Sequence, residues 1–305
     1  MSKRRIRAYI LLLTATAIWA AASPIIKFTL REISPLNFLT YRFLISGVIG
    51  IVFLILMKPK IPNNKKAYFY LFSYSIFTMI ALTMLFMGLD QSRVLDLVVV
   101  DVLGPLVTAL AGAIFLKERI TRREKTGLAI AFSGTLIAIA IPYLINKGFE
   151  ASRFSGNIML ILFMILDTGS YILAKEAVRN KIGPATLVNV TFIILFLFFV
   201  PLNYFIKGGE FFLHESLNLS VYGHLGVAYM AILSGTVAYT LWAAGQKTIE
   251  VSEASLFRYL YPTFSAPLAV IWLREEINGY FLVGAVLILI GVILAEYKKH
   301  KKQSI

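Results

Sequence analysis

Not one cysteine occurs in the 305 residues, so disulfides, thiolate metal sites and thiol nucleophiles are excluded. Histidine is nearly as scarce, with only His214, His224 and His300. No HExxH, DDxxD, Gly-x-Ser-x-Gly or P-loop pattern occurs either, which argues against metal-dependent and nucleotide hydrolysis. Charged residues make up 15% of the chain, while 58% is hydrophobic. A mean hydropathy of +0.78 exceeds what a soluble domain can expose. The chain therefore belongs in a bilayer, and no enzyme activity, cofactor or metal is expected.

The formal charge of +14 comes from short clusters at the ends of apolar runs, not from a folded basic domain, so no nucleic-acid partner is expected. Ten apolar runs, each about 20 residues or longer, lie near 8–30, 35–57, 68–89, 94–116, 124–145, 156–178, 184–206, 222–244, 252–273 and 278–297. The basic start Met1 to Arg5 resembles a signal-peptide leader, yet the run behind it is long enough to span, and it is expected to stay as the first helix. Ten spans put both termini on one side. With the N-terminus inside, twenty-one Lys and Arg face the cytoplasm and seven face outward, so both termini are expected to be cytoplasmic, in a plasma (inner) membrane.

The segment Phe115-Leu116-Lys117-Glu118 recurs as Trp272-Leu273-Arg274-Glu275, 157 residues later. At the same spacing Gly88 matches Gly245, Pro105 matches Pro262, Ile120 matches Ile277, Gly127 matches Gly284 and Gly134 matches Gly291. The chain thus reads as an all-α membrane protein made of two five-helix repeats, 1–148 and 149–305. An odd number of spans per copy inverts the second copy, which is an architecture of secondary transporters. Gly127 and Gly134, like Gly284 and Gly291, lie seven apart on one helical face, where missing side chains let backbones approach. Thr121-Arg122-Arg123-Glu124 reads as a capping box for the fifth span and Asn278 as the N-cap of the tenth.

Further signatures sit in the first two spans: Trp19 through Pro24 to Lys27, then Ser34-Pro35 followed by Tyr41-Arg42-Phe43. With the proline of spans 4 and 9, the Leu-basic-Glu ending and the glycine pairs, the chain resembles the EamA branch of the drug/metabolite transporter superfamily over essentially its whole length. The resemblance implies ten helices in inverted halves around a central cavity, lined mainly by helices 1, 3, 4, 6, 8 and 9, with helices 5 and 10 peripheral. It also implies a small-molecule substrate, an organic metabolite, amino acid or drug, often moved outward, with an amphipathic metabolite such as an amino acid or related compound as the leading expectation. The chain is expected as a monomer or a homodimer, with helices 5 and 10 serving packing or dimer contacts. The two halves differ within the cavity, where Asp167 stands near the counterpart of Trp19 and Thr191 near that of Arg42.

Ionisable groups inside spans cost at least about 2.5 to 3.5 kcal/mol on insertion scales, which makes each a functional candidate. Lys27, Asp96 and Lys175 lie near enough to helix ends to snorkel. Asp101 and Arg258 are 157 residues apart, so they occupy equivalent positions of spans 4 and 9 with opposite charge. Each sits roughly 10 Å deep from an opposite face, within reach of the other through an extended Arg and one water. They read either as a fixed ion pair or as a proton site and a carboxylate anchor. Asp167, mid-span, is the first candidate for a proton-coupling residue, unless Lys27, Arg42, Lys175 or nearby backbone neutralises it. Trp19, Tyr239, Trp242 and Tyr259, with Tyr261, are candidates for the cavity wall, since Tyr and Trp join an apolar face to a polar tip.

Arg42, Pro105, Glu118, Pro262 and Glu275 are assigned structural roles. Arg42 is expected either to bridge to backbone carbonyls or Glu residues or to contact the substrate, and Glu118 and Glu275 to cap the helix that follows each. Pro24 and the Gly169-Ser170 pair mark places where spans 1 and 6 are expected to loosen. A channel would call for rings of like charge or a repeated carbonyl filter, and two inverted halves around one site suit alternating access better. Proton antiport, exchange and facilitated diffusion all stay open.

Overall fold

The computed structural model describes residues 3–60, 62–115, 122–145, 151–249, 251, 254 and 256–296, and every regular element among them is helical. In chain order these are α1 (Lys3–Thr29), α2 (Pro35–Met57), α3 (Lys65–Gln91), α4 (Val94–Phe115), α5 (Arg122–Ile145), α6 (Ala151–Arg179), α7 (Pro184–Lys207) and the short α8 (Gly209–Leu217). Next come α9 (Val221–Ala228), a π-helical stretch (Tyr229–Val237) and α10 (Ala238–Gln246), which form one continuous rod. A 3₁₀ turn (Leu256–Leu260), α11 (Tyr261–Ile271) and α12 (Gly279–Glu296) complete the set.

Seven of these helical runs are long and apolar enough to cross a membrane: α1, α2, α3, α4 to Gly112, α6 from Arg153, α7 and the α9–α10 rod. Shorter apolar stretches occur in α5 (Ala129–Ala138) and α12 (Gly279–Gly291). The outward faces are apolar, as a lipid-facing surface requires, with Leu56, Phe205, Val286 and Leu289 among the exposed side chains. The ninth apolar run differs most from its sequence expectation. Pro262 lies in the first turn of α11, so the Arg258 carbonyl has no amide four residues ahead, and the chain enters α11 through the tight turn instead.

Spans 1 and 6 do not loosen where expected. α1 runs through Pro24, and the Ala20 carbonyl left without its amide accepts the Ser265 hydroxyl of α11. α6 runs through Gly169, where a methyl group would lie 2.7 Å from the Phe77 ring, so that glycine serves close packing on α3. The break in regularity falls in the α9–α10 rod. There the Ala231 carbonyl accepts the hydroxyls of Ser46 at 3.1 Å and Thr236 at 3.3 Å. Hydroxyls from neighbouring side chains thus meet backbone that the wider turn frees.

Long-range packing joins one helix from each half of the chain: α1 with the α9–α10 rod, α3 with α6, α2 with α7, α4 with α11 and α5 with α12. Glycines set the distance in several of these antiparallel pairs. A methyl group at Gly88 would reach within 2.8 Å of Leu160 and 3.0 Å of the Gly156 carbonyl. One at Gly245 would reach within 2.7 Å of Leu12 and 3.3 Å of the Ala8 carbonyl. At the α5–α12 crossing, a methyl at Gly134 would lie 2.7 Å from the Gly284 carbonyl, and one at Gly291 would lie 2.5 Å from that of Gly127. The four glycines of the repeat thus meet one another as backbone against backbone.

The helix ends are capped across the fold. Asn278 accepts from the Phe281 amide at 2.8 Å, as its position predicted. Glu275 behaves differently from expectation: its carboxylate accepts from the Val94 amide at 2.7 Å and the Leu95 amide at 2.8 Å, capping α4 and not the α12 that follows it. The N-terminus of α4 offers unpaired amides and a favourable dipole, whereas Asn278 already caps α12. Glu118 and the capping box at Thr121 lie outside the described residues. The segment after α7 is not open loop: α8 carries Glu215 to the start of α2, where it accepts from Ser34 Oγ at 2.9 Å and Asn37 Nδ2 at 2.6 Å.

Candidate functional site

Pro105 lies within α4 one turn after Asp101, and Pro262 falls in the first turn of α11, one turn after Arg258. In each helix the proline leaves the carbonyl of the charged residue without its usual amide. The pair meets directly, with no water required: Arg258 Nη2 donates to Asp101 Oδ1 at 3.0 Å. Gly104 makes room for it, since a methyl there would lie 3.0 Å from the guanidinium carbon. Asp167 joins from α6, with its Oδ2 3.3 Å from Arg258 Nη1, an ion pair without hydrogen-bond alignment. Its counter-charge is therefore Arg258 and none of Lys27, Arg42 or Lys175. Tyr171 and Tyr261 place their rings 5.3 Å and 5.7 Å from the guanidinium, in cation–π contact.

These groups line one cavity of about 70 Å³ at the centre of the bundle. Its walls come from α1 (Trp19, Ser23), α3 (Leu82, Leu85), α4 (Asp101), α6 (Phe163, Asp167, Tyr171), the α9–α10 rod (Met230, Ser234, Tyr239) and α11 with its leading turn (Arg258, Tyr261, Ser265). One residue of α2, Arg42, adds a second guanidinium. The cavity thus holds two Asp and two Arg among aromatic and apolar walls.

Trp19 is held by its indole N–H, which donates to the Ser234 carbonyl in the π-helical stretch at 2.8 Å. Its ring meets Tyr239 edge-on at 4.9 Å and Trp242 at 5.3 Å, and Trp242 in turn meets Tyr171 at 5.3 Å. Trp19 and Tyr239 face the cavity, whereas Trp242 stands behind the lining and braces it. The side chains of Tyr259 and Pro262 lie outside the described residues. Tyr171, Phe163 and Ser234 carry no sequence signal apart from their register: Tyr171 follows Asp167 by one helical turn and so shares its face.

Arg42 is fully buried and all three guanidinium nitrogens have no hydrogen-bond partner among the described residues. The expected carbonyl or glutamate bridge is not found there. The guanidinium lies instead by the rings of Phe43, at 5.2 Å, and Phe86, at 5.5 Å. Both lysines near helix ends do bridge to backbone. Lys27 Nζ donates to the carbonyls of Leu89 at 2.7 Å and Asp90 at 3.1 Å, closing α1 onto the end of α3. Lys175 Nζ donates to the carbonyls of Gln246 and Ile249, closing α6 onto the end of α10.

A multi-pass helical membrane protein with a buried, mixed-charge cavity between its two halves is the class this arrangement defines. The sequence model of the EamA-like transporter family matches residues 6–140 and 154–297, so the chain belongs to that family. It is 25% identical to the uncharacterized transporter YyaM of Bacillus subtilis (strain 168) over 302 residues, which cover 96% of this chain and 94% of the relative. It is 24% identical to a probable amino-acid metabolite efflux pump of Salmonella typhimurium over 291 residues, 92% of each. A crystal structure covering 95% of this chain and 96% of its own superposes with a TM-score of 0.67 at 17% identity, a likeness of fold. Family and relatives alike indicate a transporter and not an enzyme.

Proposed function

We propose that this protein is a secondary transporter of ten spans, arranged as inverted halves 1–148 and 149–305, that moves a small amphipathic metabolite outward across the plasma membrane by alternating access. The observation that carries this is the cavity itself. Two carboxylates, two guanidinium groups and aromatic walls meet at mid-bundle, where ionisable groups are costly unless they serve a solute or each other. The helix pairings support the inverted arrangement. Exchanging the halves turns the contact of Gly245 with Ala8 and Leu12 into that of Gly88 with Gly156 and Leu160. The twofold family match supports it as well. The 3₁₀ turn at Arg258 and the π-helical stretch at Ser234 put irregular backbone beside the cavity, where transporters bind solutes.

An amino acid or a close relative is the proposed cargo, supported by the mixed charge of the cavity and by relatives described as probable amino-acid metabolite efflux pumps. Both termini lie in the cytoplasm in this reading. Protons are the proposed coupling ion and Asp167 their carrier, because its contact with Arg258 is the less tightly made of the two ion pairs. The test is uptake of labelled amino acids into proteoliposomes of the purified protein, with and without a pH gradient. Saturable uptake that grows with the gradient is expected. Saturable uptake indifferent to it removes proton coupling, and no uptake of any solute removes transport.

A further inference from the structure

Two cations face the cavity, and they are placed very differently. Arg258 has two carboxylates as counter-charges, Asp101 through a hydrogen bond and Asp167 through an unaligned ion pair, with Tyr171 and Tyr261 at its faces and Gly104 beneath it. Arg42 is as deeply buried, at 0% exposure, with the rings of Phe43 and Phe86 against it and Tyr239 near enough to act on its charge, yet it has no hydrogen-bond acceptor among the described residues. Phe43 and Phe86 can steady a guanidinium but cannot accept its hydrogen bonds in the plane, so the N–H fork keeps its donors unused. A charged, fully buried donor set without acceptors is among the costliest arrangements a fold can keep. Packing does not account for its charge, since a neutral side chain of similar length would fill the space.

We propose that Arg42 is the anion subsite of the cavity and receives the carboxylate of a zwitterionic, amino-acid-like solute, whose ammonium end is received by the Asp101–Asp167 side. This rests on the transport reading above and names the group that recognises the cargo. The charges favour such a solute. With its carboxylates ionised, the Asp101–Arg258–Asp167 cluster carries one net negative charge and Arg42 one positive, so the cavity is neutral overall and polar across. A zwitterion laid along that direction pairs both poles and adds no net charge, whereas a simple amine or a simple acid leaves one pole unpaired. The planar fork of Arg matches a carboxylate with two parallel hydrogen bonds, which Lys cannot reproduce. A cavity of about 70 Å³ suits a head group of a few heavy atoms, below the roughly 300–1,000 Å³ of sites that hold whole drug-sized ligands.

The test is counterflow into proteoliposomes loaded with leucine, phenylalanine or threonine, with the matching carboxamides, decarboxylated amines and N-acetyl acids as competitors. For the parent protein, the amides and amines should compete about tenfold or more weakly than the free amino acids. Arg42→Gln should lose most uptake and the discrimination with it, while Arg42→Lys keeps part of both. Elution and melting in detergent show whether each variant folds, and if Arg42→Gln does not, the competition ratio of the parent decides alone. Equal competition by amides and acids overturns the inference, as does a folded Arg42→Gln that transports like the parent. A parent that carries amines or sugars without regard to a carboxylate also overturns it while leaving transport standing. A parent that moves no solute removes the transport reading and the inference together.

Discussion

Lys27 and Lys175 stand 148 residues apart and make the same attachment at opposite ends of the bundle. The first holds the carbonyls that close α3, the second those that close α10, and Gln246 follows Leu89 by the 157 residues of the repeat. In an alternating-access cycle one attachment must release while the other holds. The cysteine-free chain allows a direct check with Ser23→Cys as a reporter in the cavity wall. Lys27→Met should speed its labelling by an impermeant thiol reagent several-fold from the face where α1 ends. Lys175→Met should do so from the opposite face. Unchanged sidedness in both variants would separate the lysines from gating.

Arg258 serves two carboxylates, and this ranks the charge-pair variants. Asp101→Asn leaves Arg258 with Asp167 and should cost less than Arg258→Met, which strands both acids and should cost about 3–5 kcal/mol. Exchanging Asp101 and Arg258 should rescue only partly, because the new carboxylate at 258 would face Asp167. Adding Asp167→Asn to the exchange should restore more folded yield than the exchange alone. Melting temperatures and monodisperse yield in detergent measure the order, and full rescue by the simple exchange would contradict it.

If Asp167 carries the proton, Asp167→Asn should abolish uptake driven by a pH gradient, while counterflow exchange at equal pH persists with weakened affinity, since Asp101 still receives the ammonium end. The amide remains beside Arg258, so the fold should persist. Equal gradient-driven rates in mutant and parent would end the assignment.

Gly291 meets the Gly127 carbonyl across α5 and α12, whereas Gly279 at the start of α12 has open space around it. Gly291→Ala should destabilise by about 1–3 kcal/mol through overpacking. Gly279→Ala should be neutral or stabilise by up to about 1 kcal/mol through helix propensity. A thermal-melting comparison that finds the two alike would show that the crossing yields easily.

Glu275 lies in the connection before α12, and burial raises its carboxyl above the usual range, opposed by the amides of Leu95 and Val94 that favour the anion. With the folded value above the unfolded one, the folded state holds the proton more tightly. This contribution to stability is present at acid pH and declines as pH rises through the folded value. Glu275→Gln should flatten that decline and, by leaving one α4 amide without an acceptor, cost about 1 kcal/mol. Parallel melting curves of parent and variant from acid to neutral pH would refute the assignment.

Register made much of this legible in the sequence. Because matching positions recur at a fixed spacing, Asp101 and Arg258 could be brought together without coordinates, and the glycine pairs could be assigned to close packing. Lys27 and Lys175 could only be placed near helix ends, since backbone carbonyls as partners leave no trace in residue type. The same limit hid the α4 amides that Glu275 caps. The bridge expected of Arg42 is absent among the described residues: a buried arginine ordinarily has an acceptor, and the lack of one is a property of space that residue type does not carry. The 3₁₀ turn follows from Pro262, but the π-helical stretch has no local cause as clear, being met by hydroxyls such as that of Ser46 on another helix.

The crossing of α5 and α12 is a seam of peptide backbone and small side chains, with Gly134 against Gly284 and Gly291 against Gly127, and Ala131 and Ala138 beside them. Such a seam has few side-chain rotamers to repack when its two sides shift. The close approach holds only where glycine meets glycine, so these four positions fix the register of the two helices. None of these four glycines lines the cavity, so the fit of the two helices and the composition of the cavity wall are set by separate residues.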